Sequence, residues 1–508
     1  MHAPSADAAN ADADADAADA AVLPPQQAGP VGRQEAEPSP ESAHGIPWWA
    51  WTMAGGLFLL YTALSLRTHG RLHSHSFDLA IFEQAVRSYA VGRLPVSEVK
   101  GPDFPVLGDH FSPVLAVLAP LYRIWPSPRT LLVAQAALIA VSVLPLTLWA
   151  RRTLGGAAAA VIGLCYGLSW GIANAIGFDF HEWAFAVPLL ACSLSALGAG
   201  RLRAAACWAL PLVLVKEDLG LTVAAIGAVI AWRGGRGGRR LGIATAVAGA
   251  ACTLLAMVVV LPALNPSGSY FYASFLGGGA DSGGGAGGGF TDLLAKVTVG
   301  LVTPETKAVT LVLVLAPTLF LALRSPLVLI AVPGLLWRGV SDQPVHWGTG
   351  YHYSLTVMPI VFAAFVDALG RRATTTAGLR RYLAGAAGVC VLLLPAHSLG
   401  QLGRPDFWRT EPRVAVAQRL MDRIPDGATV QASDGLVPHL ANRTSVSVYG
   451  WPASRDEPEW ILVDTGVAPA RRWPLSAMEE YVALDGARAR GYRTVAEQDG
   501  FVLLGRRS

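Results

Sequence analysis

About eleven apolar segments, most of them close to the length that crosses a bilayer, constrain this chain more than any other feature of its sequence. A membrane-spanning helix needs about 20 predominantly apolar residues, and its backbone groups must bond to one another. The candidate spans cover residues 48–66, 130–149, 157–175, 183–199, 204–216, 219–232, 241–262, 307–323, 326–340, 353–369 and 382–400. Only 15% of the residues are charged, against roughly 25% in soluble proteins. The sequence therefore predicts a mainly α-helical, polytopic transmembrane bundle.

Basic residues in the short loops between spans indicate the orientation of this bundle. They lie at 151–152, 201–203, 233–240, 324 and 371–381. The positive-inside rule places all of these loops in the cytoplasm. The N-terminus is then cytoplasmic, and the outer face receives the loops 67–129, 176–182, 263–306 and 338–352 and the segment 401–508. The predicted location is the cytoplasmic membrane, and the net charge of +3 is too small to favour a nucleic-acid partner.

The segments 204–216 and 219–232 are each too short for an ordinary span. Both flanks are basic and are therefore expected in the cytoplasm, which requires the chain to cross the membrane an even number of times between them. A single crossing would invert the orientation of every later segment. A hairpin of two short helices, turning at residues 216–218 inside the protein, satisfies the charges. One long helix with three charges at mid-membrane is the alternative, and we favour the hairpin.

The regions outside the bundle, which covers 46–400, differ in composition. Residues 1–45 are rich in Ala, Asp, Pro and Gln, and they are expected to form a disordered cytoplasmic tail. The run Gly277–Gly289 lacks the spacing of a phosphate-binding loop and is expected to be a flexible linker. Residues 401–508 alternate short strand and helix patterns, which predicts a small extracytoplasmic α/β domain. A lid or substrate-guiding role and a structural role are both open for it.

Ionisable residues form four groups, all on the predicted outer face. They are Asp78, Asp109 and His110 of the first loop; Asp179, His181 and Glu182; Lys216, Glu217 and Asp218; and His346 and His352. Such residues are costly at the membrane edge and tend to line a site. Each group also has a structural interpretation, as a solvated turn, a helix cap, an internal ion pair or an interfacial aromatic cluster. A shared outward-facing cavity explains all four groups at once.

The residue types in this cavity suit group transfer from a lipid-anchored phosphate. A carboxylate such as Asp78 can act as general base on an acceptor hydroxyl. Lys216, Arg87 and His352 can hold an anionic phosphate leaving group. The carboxylates and histidines could also hold a divalent cation, although their spacing in the sequence does not specify one.

Three motifs carry a resemblance to a known family, and this resemblance covers roughly residues 50–500 of the chain. The runs FDLAIFEQAV…GDHFSPVLAVLAPLYRIWPSPRTLLVAQA, GFDFHEWAFAVPLLA and LVKEDLGL resemble a bacterial multi-pass family of unknown function that is grouped with the GT-C glycosyltransferases. The resemblance implies a GT-C-like fold, a polyprenyl-phosphate-linked sugar donor, contact with membrane lipid, and a catalytic acid in the first outward loop. Asp78 stands at that place. Better-known members often have adjacent acidic residues there, whereas Leu79 follows here, so Asp109 is the candidate second carboxylate.

The leading hypothesis is a glycosyltransferase acting on the outer face of the membrane. Asp78 would be the base, and Asp109 and His110 would support it or contact a metal. The substrate-binding residues would be Arg87, Asp179, His181, Glu182, Lys216, Glu217, Asp218, His346 and His352. The alternative is a transporter or flippase for a lipid-linked or small polar substrate, with a relay through Asp179, His181, Glu217 and Asp218. A non-catalytic membrane scaffold is a third possibility.

Overall fold

Helices dominate the part of the chain that the computed structural model describes, which comprises residues 45–268, 294–372 and 375–506. Residues 1–44 of the predicted N-terminal tail and the run Gly277–Gly289 lie outside the described residues, so the predictions made for them stay predictions. The longer α-helices are Trp48–Gly70, Ile81–Ala90, Pro128–Val141, Val143–Leu154, Gly156–Gly167, Trp170–Phe178, Trp183–Gly198, Leu202–Ala209, Leu219–Arg233, Arg236–Leu255, Glu305–Leu315, Val332–Val340, Val357–Arg371, Thr376–Leu393, Pro412–Met421 and Ala477–Ala489. Shorter α-helical turns are Ala119–Ile124, Leu261–Leu264, Pro344–Trp347, Pro405–Trp408 and Val437–Leu440.

Turns with narrower or wider helical geometry connect these elements. The 3-10 turns are Val106–Gly108, Pro113–Leu118, Leu210–Leu214, Val299–Leu301, Ala316–Thr318, Leu321–Arg324, Pro326–Ala331, His352–Ser354, Leu394–Ala396, Ser398–Gly403 and Pro469–Arg471. Two π-helical turns, Ser76–Ala80 and Ala256–Val260, run directly into α-helices. Such π turns are frequent at functional sites.

Among the residues that the structure describes, five helical stretches are long and apolar enough to cross a membrane: Trp48–Gly70, Pro128–Leu154, Arg236–Leu264, His352–Arg371 and Thr376–Ala396. The bent pair Gly156–Gly167 and Trp170–Phe178 makes a sixth if it counts as one span. Five further apolar helices are shorter: Pro113–Ile124, Trp183–Gly198, Leu202–Leu214, Leu219–Arg233 and Pro326–Val340. The chain is thus a multi-pass membrane protein, and the count of about eleven spans stays a prediction.

The stretch His352–Arg371 lies at the centre of the bundle, because 83% of its apolar window is buried, compared with 17% for Thr376–Ala396. Its last turns carry Asp367, which accepts a hydrogen bond from Ser325 Oγ and pairs with Arg233 Nη2 at 3.2 Å. A buried carboxylate with these partners ties three segments together at the end of the bundle remote from residue 352.

The segment 202–233 forms two helices joined at residues 215–218, as the hairpin interpretation predicts. Its beginning lies close to the start of the helix that follows it, since a Cβ placed on Gly238 would lie 3.0 Å from Leu202 Cδ1. The second helix packs closely on Arg236–Leu255, because a Cβ on Gly242 would lie 2.2 Å from the backbone nitrogen of Ala231. Small residues permit this approach of two backbones. The turn at 215–218 meets the first loop, since Glu217 accepts a hydrogen bond from the backbone amide of Phe111 at 3.0 Å.

The C-terminal part is a small α/β domain, as the sequence predicts. After the two-residue strands β1 (Val96–Ser97) and β2 (Phe104–Pro105) of the first loop come β3 (Thr429–Ala432), β4 (Ser445–Val448), β5 (Trp460–Asp464), β6 (Tyr492–Gln498) and β7 (Phe501–Arg506). The order across the sheet is β4-β3-β5-β7-β6. Strand β3 is parallel to β4 and β5, whereas β7 is antiparallel to β5 and β6. The parallel strands therefore end at one edge of the sheet.

This domain is docked on the first loop. Ser76 donates from both its backbone amide and its hydroxyl to Asp434 Oδ1. Gln84 Nε2 donates to the carbonyl of Val446 at 2.9 Å. These bonds set the position of the π turn Ser76–Ala80, and therefore of Asp78 within it.

Candidate functional site

A cavity of about 720 Å³ lies between the first loop, the helix ends and the C-terminal domain. Most of the predicted site residues line it: Asp78, Asp109, His110, His181, Lys216, Glu217, Asp218, His346 and His352. The rest of its wall is largely aromatic, with Phe77, Phe82, Phe178, Trp183, Trp337, Tyr351, Tyr353, Trp451 and Trp473. Ligand cavities typically combine such apolar walls with a few converging polar groups. The four polar groups of the sequence thus meet in one place.

Asp78 points into this cavity from the π turn, while its neighbours Leu79 and Ala80 are buried in the core. Burial and the nearby charge of Asp179 raise the pKa of Asp78 to about 7, although His75 and Lys216 act in the opposite direction. A carboxyl group with a pKa near neutrality can exchange a proton with a substrate at physiological pH. Asp78 is therefore suited to general acid–base chemistry.

Asp179 lies behind the cavity wall. Its Oδ2 accepts a hydrogen bond from the backbone amide of His75 at 2.8 Å and lies 2.9 Å from His75 Nδ1. Burial alone would lower the pKa of His75, but its hydrogen bond and charge interaction with Asp179 outweigh burial and raise this pKa to about 9. His75 is therefore protonated at neutral pH and places a positive charge near Asp78.

His181, Glu182 and Lys216 form a chain of close contacts beside Asp78. His181 Nε2 lies 3.9 Å from Asp78 Oδ1, and His181 Nδ1 lies 2.8 Å from Glu182 Oε2. Lys216 Nζ donates to Glu182 Oε1 at 3.0 Å. Glu182 is buried behind the wall, whereas the histidine and the lysine reach the cavity. The buried glutamate thus positions two groups that face a substrate.

Two further ion pairs involve the first loop: one lies within the loop, and the other connects it to the turn at 215–218. Lys100 Nζ lies 3.1 Å from Asp109 Oδ1. Glu217 Oε1 lies 2.9 Å from His110 Nδ1. Glu217 Oε2 accepts a hydrogen bond from the backbone amide of Phe111 at 3.0 Å. These contacts fix the loop on the helix ends and leave Lys100 and His110 on the cavity wall.

Arg87 does not reach the cavity. Its Nη1 donates to the carbonyl groups of Ala441 and Thr444, both at 2.9 Å. Gln84 and Arg87, three residues apart on the helix Ile81–Ala90, share the face that meets the C-terminal domain. The structure therefore gives Arg87 a docking role, and the prediction of a phosphate contact is not supported by its position.

The sequence-based site lacked the residues that the C-terminal domain contributes. They are Asp434, Trp451, Arg471, Arg472 and Trp473. All of them follow strands that prove to be parallel: Asp434 comes after β3, Trp451 after β4, and the other three after β5. Ligands of open α/β sheets bind outside the carboxyl ends of the strands. Applied to the strands predicted from the sequence, this rule would have pointed to the residues that follow β3, β4 and β5.

Three cavity side chains could hold a metal ion. Ligand atoms of Asp78, His181 and His352 all lie within 4.8 Å of one another. Both ring nitrogens of His352 are buried and have no hydrogen-bond partner among the described residues. The rings of His181 and His352 stack, however, with centroids 3.6 Å apart and planes inclined by 27°. Stacked rings keep their lone pairs nearly parallel, so one ring must rotate before both bind the same ion.

Solved structures with a similar fold include two of ArnT from Cupriavidus metallidurans. The one bound to undecaprenyl phosphate aligns with a TM-score of 0.53 and 14% identity, over 91% of this chain and 98% of ArnT. The apo structure gives a TM-score of 0.50 and 14% identity, over 90% and 97% of the two chains. An oligosaccharyltransferase from Archaeoglobus fulgidus, in complex with Zn and sulfate, gives only 0.37 at 10% identity, over 81% and 68%. The ArnT alignments show that this chain has a fold of the GT-C type.

At the level of sequence, a search of the curated proteins finds no match. A family model described as "Predicted membrane protein (DUF2079)" matches residues 68–503. This range includes the first loop, the bundle and almost all of the C-terminal domain. The chain therefore belongs to the DUF2079 family of predicted membrane proteins.

Proposed function

We propose that this protein is a glycosyltransferase that takes a sugar from a polyprenyl-phosphate donor and transfers it to an acceptor at the outer face of the cytoplasmic membrane. The observation that carries the proposal is the position of Asp78. Its carboxyl group, with a pKa of about 7, faces a cavity that is lined by cations and aromatic rings and enclosed by the bundle and the C-terminal domain. The similarity to ArnT, whose structure holds undecaprenyl phosphate, supports the choice of donor.

In this reaction Asp78 accepts the proton of an acceptor hydroxyl group. The hydroxyl oxygen forms a bond with the anomeric carbon of the donor sugar, and the bond from that carbon to the phosphate oxygen breaks. The products are the glycosylated acceptor and polyprenyl phosphate. A general base works best when its pKa lies near the operating pH, which is the condition at Asp78.

Positive charge in the cavity stabilises the departing phosphate. Lys216, Lys100 and Arg471 line the wall and can attract the charge that develops on the leaving oxygen. Their side chains are held by other protein groups, for example Lys216 by Glu182 and Arg471 by the carbonyl of Leu72. Such preorganised charges need little rearrangement during the reaction.

In the described residues, two carboxylates of the relay in the transporter hypothesis pair with different histidines. Asp179 pairs with His75, whereas Glu217 pairs with His110. The aromatic wall and the domain that closes the cavity favour an enzyme over a conduit for ions.

The test is transfer of sugar from a panel of polyprenyl-phosphate hexoses and pentoses by the purified protein in proteoliposomes. Wild-type protein should consume one donor, and Asp78→Asn should reduce the rate by at least 100-fold (~2.7 kcal/mol). Consumption of the donor at the wild-type rate by Asp78→Asn would contradict the proposed role.

A further inference from the structure

A second, smaller pocket lies between the C-terminal domain and the start of the first loop, where the parallel strands β3 and β5 end. Ser433 and Asp434 follow β3, Asp464 ends β5, and all three residues line this strand-end pocket. Ligands of open α/β sheets bind at this edge. The pocket has a volume of about 80 Å³ and holds roughly six water molecules, so it suits a small polar ligand.

Opposite charges balance among the described residues that line the strand-end pocket. Its arginines are Arg71, Arg413, Arg471 and Arg472. Its carboxylates are Glu411, Asp434, Asp464 and Glu480. Burial lowers the pKa of His73 to about 4, so this histidine is neutral, and the charge of His75 is matched by Asp179. An anion would lie beside four carboxylates and a cation beside four guanidinium groups, so the balance favours an uncharged ligand.

Ion pairs and hydrogen bonds hold these groups in fixed positions. The pairs are Arg71 with Glu411, Arg413 with Asp464 and Arg472 with Glu480, with N–O distances of 2.9, 2.5 and 2.5 Å. Arg471 Nη2 donates to the carbonyl of Leu72 at 3.1 Å, and Asp434 Oδ1 accepts from Ser76. A pocket whose polar groups are already ordered loses little conformational entropy when a ligand binds.

The same groups keep hydrogen-bonding capacity for a ligand. Each of the four carboxylates uses one oxygen in these bonds, and its second oxygen has no hydrogen-bond partner among the described residues. Nε of Arg71 and Nε of Arg472 are buried and are likewise unpaired in the described part of the chain. The pocket thus offers acceptors and donors side by side. Hydroxyl groups match this arrangement, because each of them both donates and accepts.

An aromatic surface adjoins the polar groups. Trp473 lines both the strand-end pocket and the cavity. The centre of its ring lies 5.2 Å from that of Trp451 and 4.9 Å from that of Phe77. Trp473 is still 40% exposed, so part of its ring is available to a ligand. The negative face of an aromatic ring attracts weakly positive C–H groups, which a sugar ring presents together with its hydroxyl groups.

The strand-end pocket meets the cavity close to Asp78. The residues that line both are His75, Asp434, Arg471, Arg472 and Trp473. Asp434 is bonded to Ser76, two residues before Asp78. A ligand of more than one ring in the pocket therefore has a short path to the carboxyl group of Asp78.

We propose that the strand-end pocket is the acceptor subsite and that the acceptor is an uncharged oligosaccharide. One sugar ring lies against Trp473 among Asp434, Asp464 and Arg472, and the next ring presents its hydroxyl group to Asp78. This inference rests on the proposed function and names the acceptor class for it. The reaction then forms a glycosidic bond between two sugars and releases polyprenyl phosphate. Lys100 and Lys216 line the cavity and not this pocket, so the acceptor and the departing phosphate occupy different places.

The experiment measures ligand binding to the full-length protein in detergent by saturation-transfer-difference NMR. The probes are linear trisaccharides of glucose, mannose, galactose and arabinose, with trigalacturonic acid, inorganic phosphate and a blocked triserine peptide for comparison. At least one uncharged trisaccharide should bind at least tenfold more tightly than these three. Equal binding of trigalacturonic acid or phosphate would assign the pocket to an anion, and equal binding of triserine would assign it to a peptide. Either result overturns the proposal, and so does a lack of binding by all four trisaccharides.

Two variants locate the bound trisaccharide. Trp473→Ala removes the aromatic surface, and Ala468→Trp fills the pocket from an exposed position on its wall. Each should weaken binding at least tenfold while the protein elutes as the wild type does. Trp408→Ala and Ala489→Trp make the same changes at exposed positions outside the pocket and the cavity, and they should leave binding unchanged. Wild-type affinity in Trp473→Ala or in Ala468→Trp would overturn the site.

Failure of this subsite and failure of the proposed function give different results. Binding is measured without a donor, so the Asp78→Asn variant should bind the trisaccharide as the wild type does. Normal binding of the trisaccharide without sugar transfer from any donor would contradict the proposed function alone. Transfer to the trisaccharide by Ala468→Trp with a wild-type KM for this acceptor would contradict the subsite alone.

Discussion

Nε2 of His181 lies 3.9 Å from Oδ1 of Asp78, and the opposite nitrogen of the same ring lies 2.8 Å from a carboxylate oxygen of Glu182. One imidazole therefore stands between the carboxyl group that faces the cavity and a buried carboxylate. Because Glu182 also holds Lys216, a change at any of these residues is transmitted to the others. The central features of the site are thus electrostatic, and they can be tested through pH and charge.

The rate of sugar transfer should increase as pH rises through about 7. The pKa of Asp78 in the folded protein is about 7, so the carboxyl group is protonated and inactive as a base at lower pH and ionised at higher pH. We expect kcat/KM to rise about tenfold per pH unit below 7 and to level off above it. A profile that is flat between pH 5.5 and 8 would exclude Asp78 as the base.

Replacing His75 should move this profile to higher pH. The positive charge of His75 lowers the pKa of Asp78, so its removal in His75→Gln raises that pKa and shifts the rising limb upward. His73→Gln is the matched control, because it changes a histidine two positions away whose pKa burial lowers to about 4, so that it carries no charge at neutral pH. A shift of the limb to lower pH in His75→Gln would contradict the electrostatic assignment.

Removing only one partner of the buried pair Lys216–Glu182 should lower the free energy of unfolding. Lys216→Met leaves the fully buried Glu182 carboxylate without its cation, and we expect a loss of about 3 kcal/mol in the free energy of unfolding. The double variant Lys216→Met/Glu182→Leu should recover most of this loss, since replacing both partners by apolar residues is often neutral. Unfolding in a graded denaturing detergent measures both. Additive losses in the double variant would show that the two residues act independently.

Asp434 should control the order of the turn that carries Asp78. Asp434→Ala removes the acceptor for both donors of Ser76, at a cost of about 1–3 kcal/mol for a buried group left unpaired. We expect faster hydrogen exchange at residues 75–80 and a lower kcat. Asp426→Ala is the control, because Asp426 is 81% exposed in its pair with Arg443. Unchanged exchange at 75–80 in Asp434→Ala would show that the domain contact does not hold the turn.

The bundle and the small C-terminal domain were predictable because both depend on local patterns. Apolar length and flanking arginines predicted the helices, and alternation predicted β3 to β7. The two helices of the segment 202–233 were predicted from charge, since basic residues on both flanks favour an even number of crossings. The four polar groups were found because ionisable residues are rare in such a chain and therefore conspicuous.

Other parts of the site depend on long-range packing that a single sequence does not specify. Arg87 was expected at the cavity and instead contacts the C-terminal domain, because the face of a ten-residue helix that meets the cavity is decided by what docks on the other face. Trp451 and Trp473 could not be placed without knowing that the C-terminal domain closes the cavity.

A single-turnover assay of Asp78→Asn separates chemistry from binding. The protein is preloaded with its labelled polyprenyl-phosphate sugar in proteoliposomes, acceptor is added, and labelled product is followed with time. Asp103→Asn, at an 84% exposed carboxylate of the same loop, is the matched control. We expect wild-type and Asp103→Asn protein to transfer the sugar at the same rate, and Asp78→Asn to bind the donor normally but transfer at least 100-fold more slowly (~2.7 kcal/mol). Equal transfer rates in Asp78→Asn and wild-type protein would show that Asp78 is not the catalytic base.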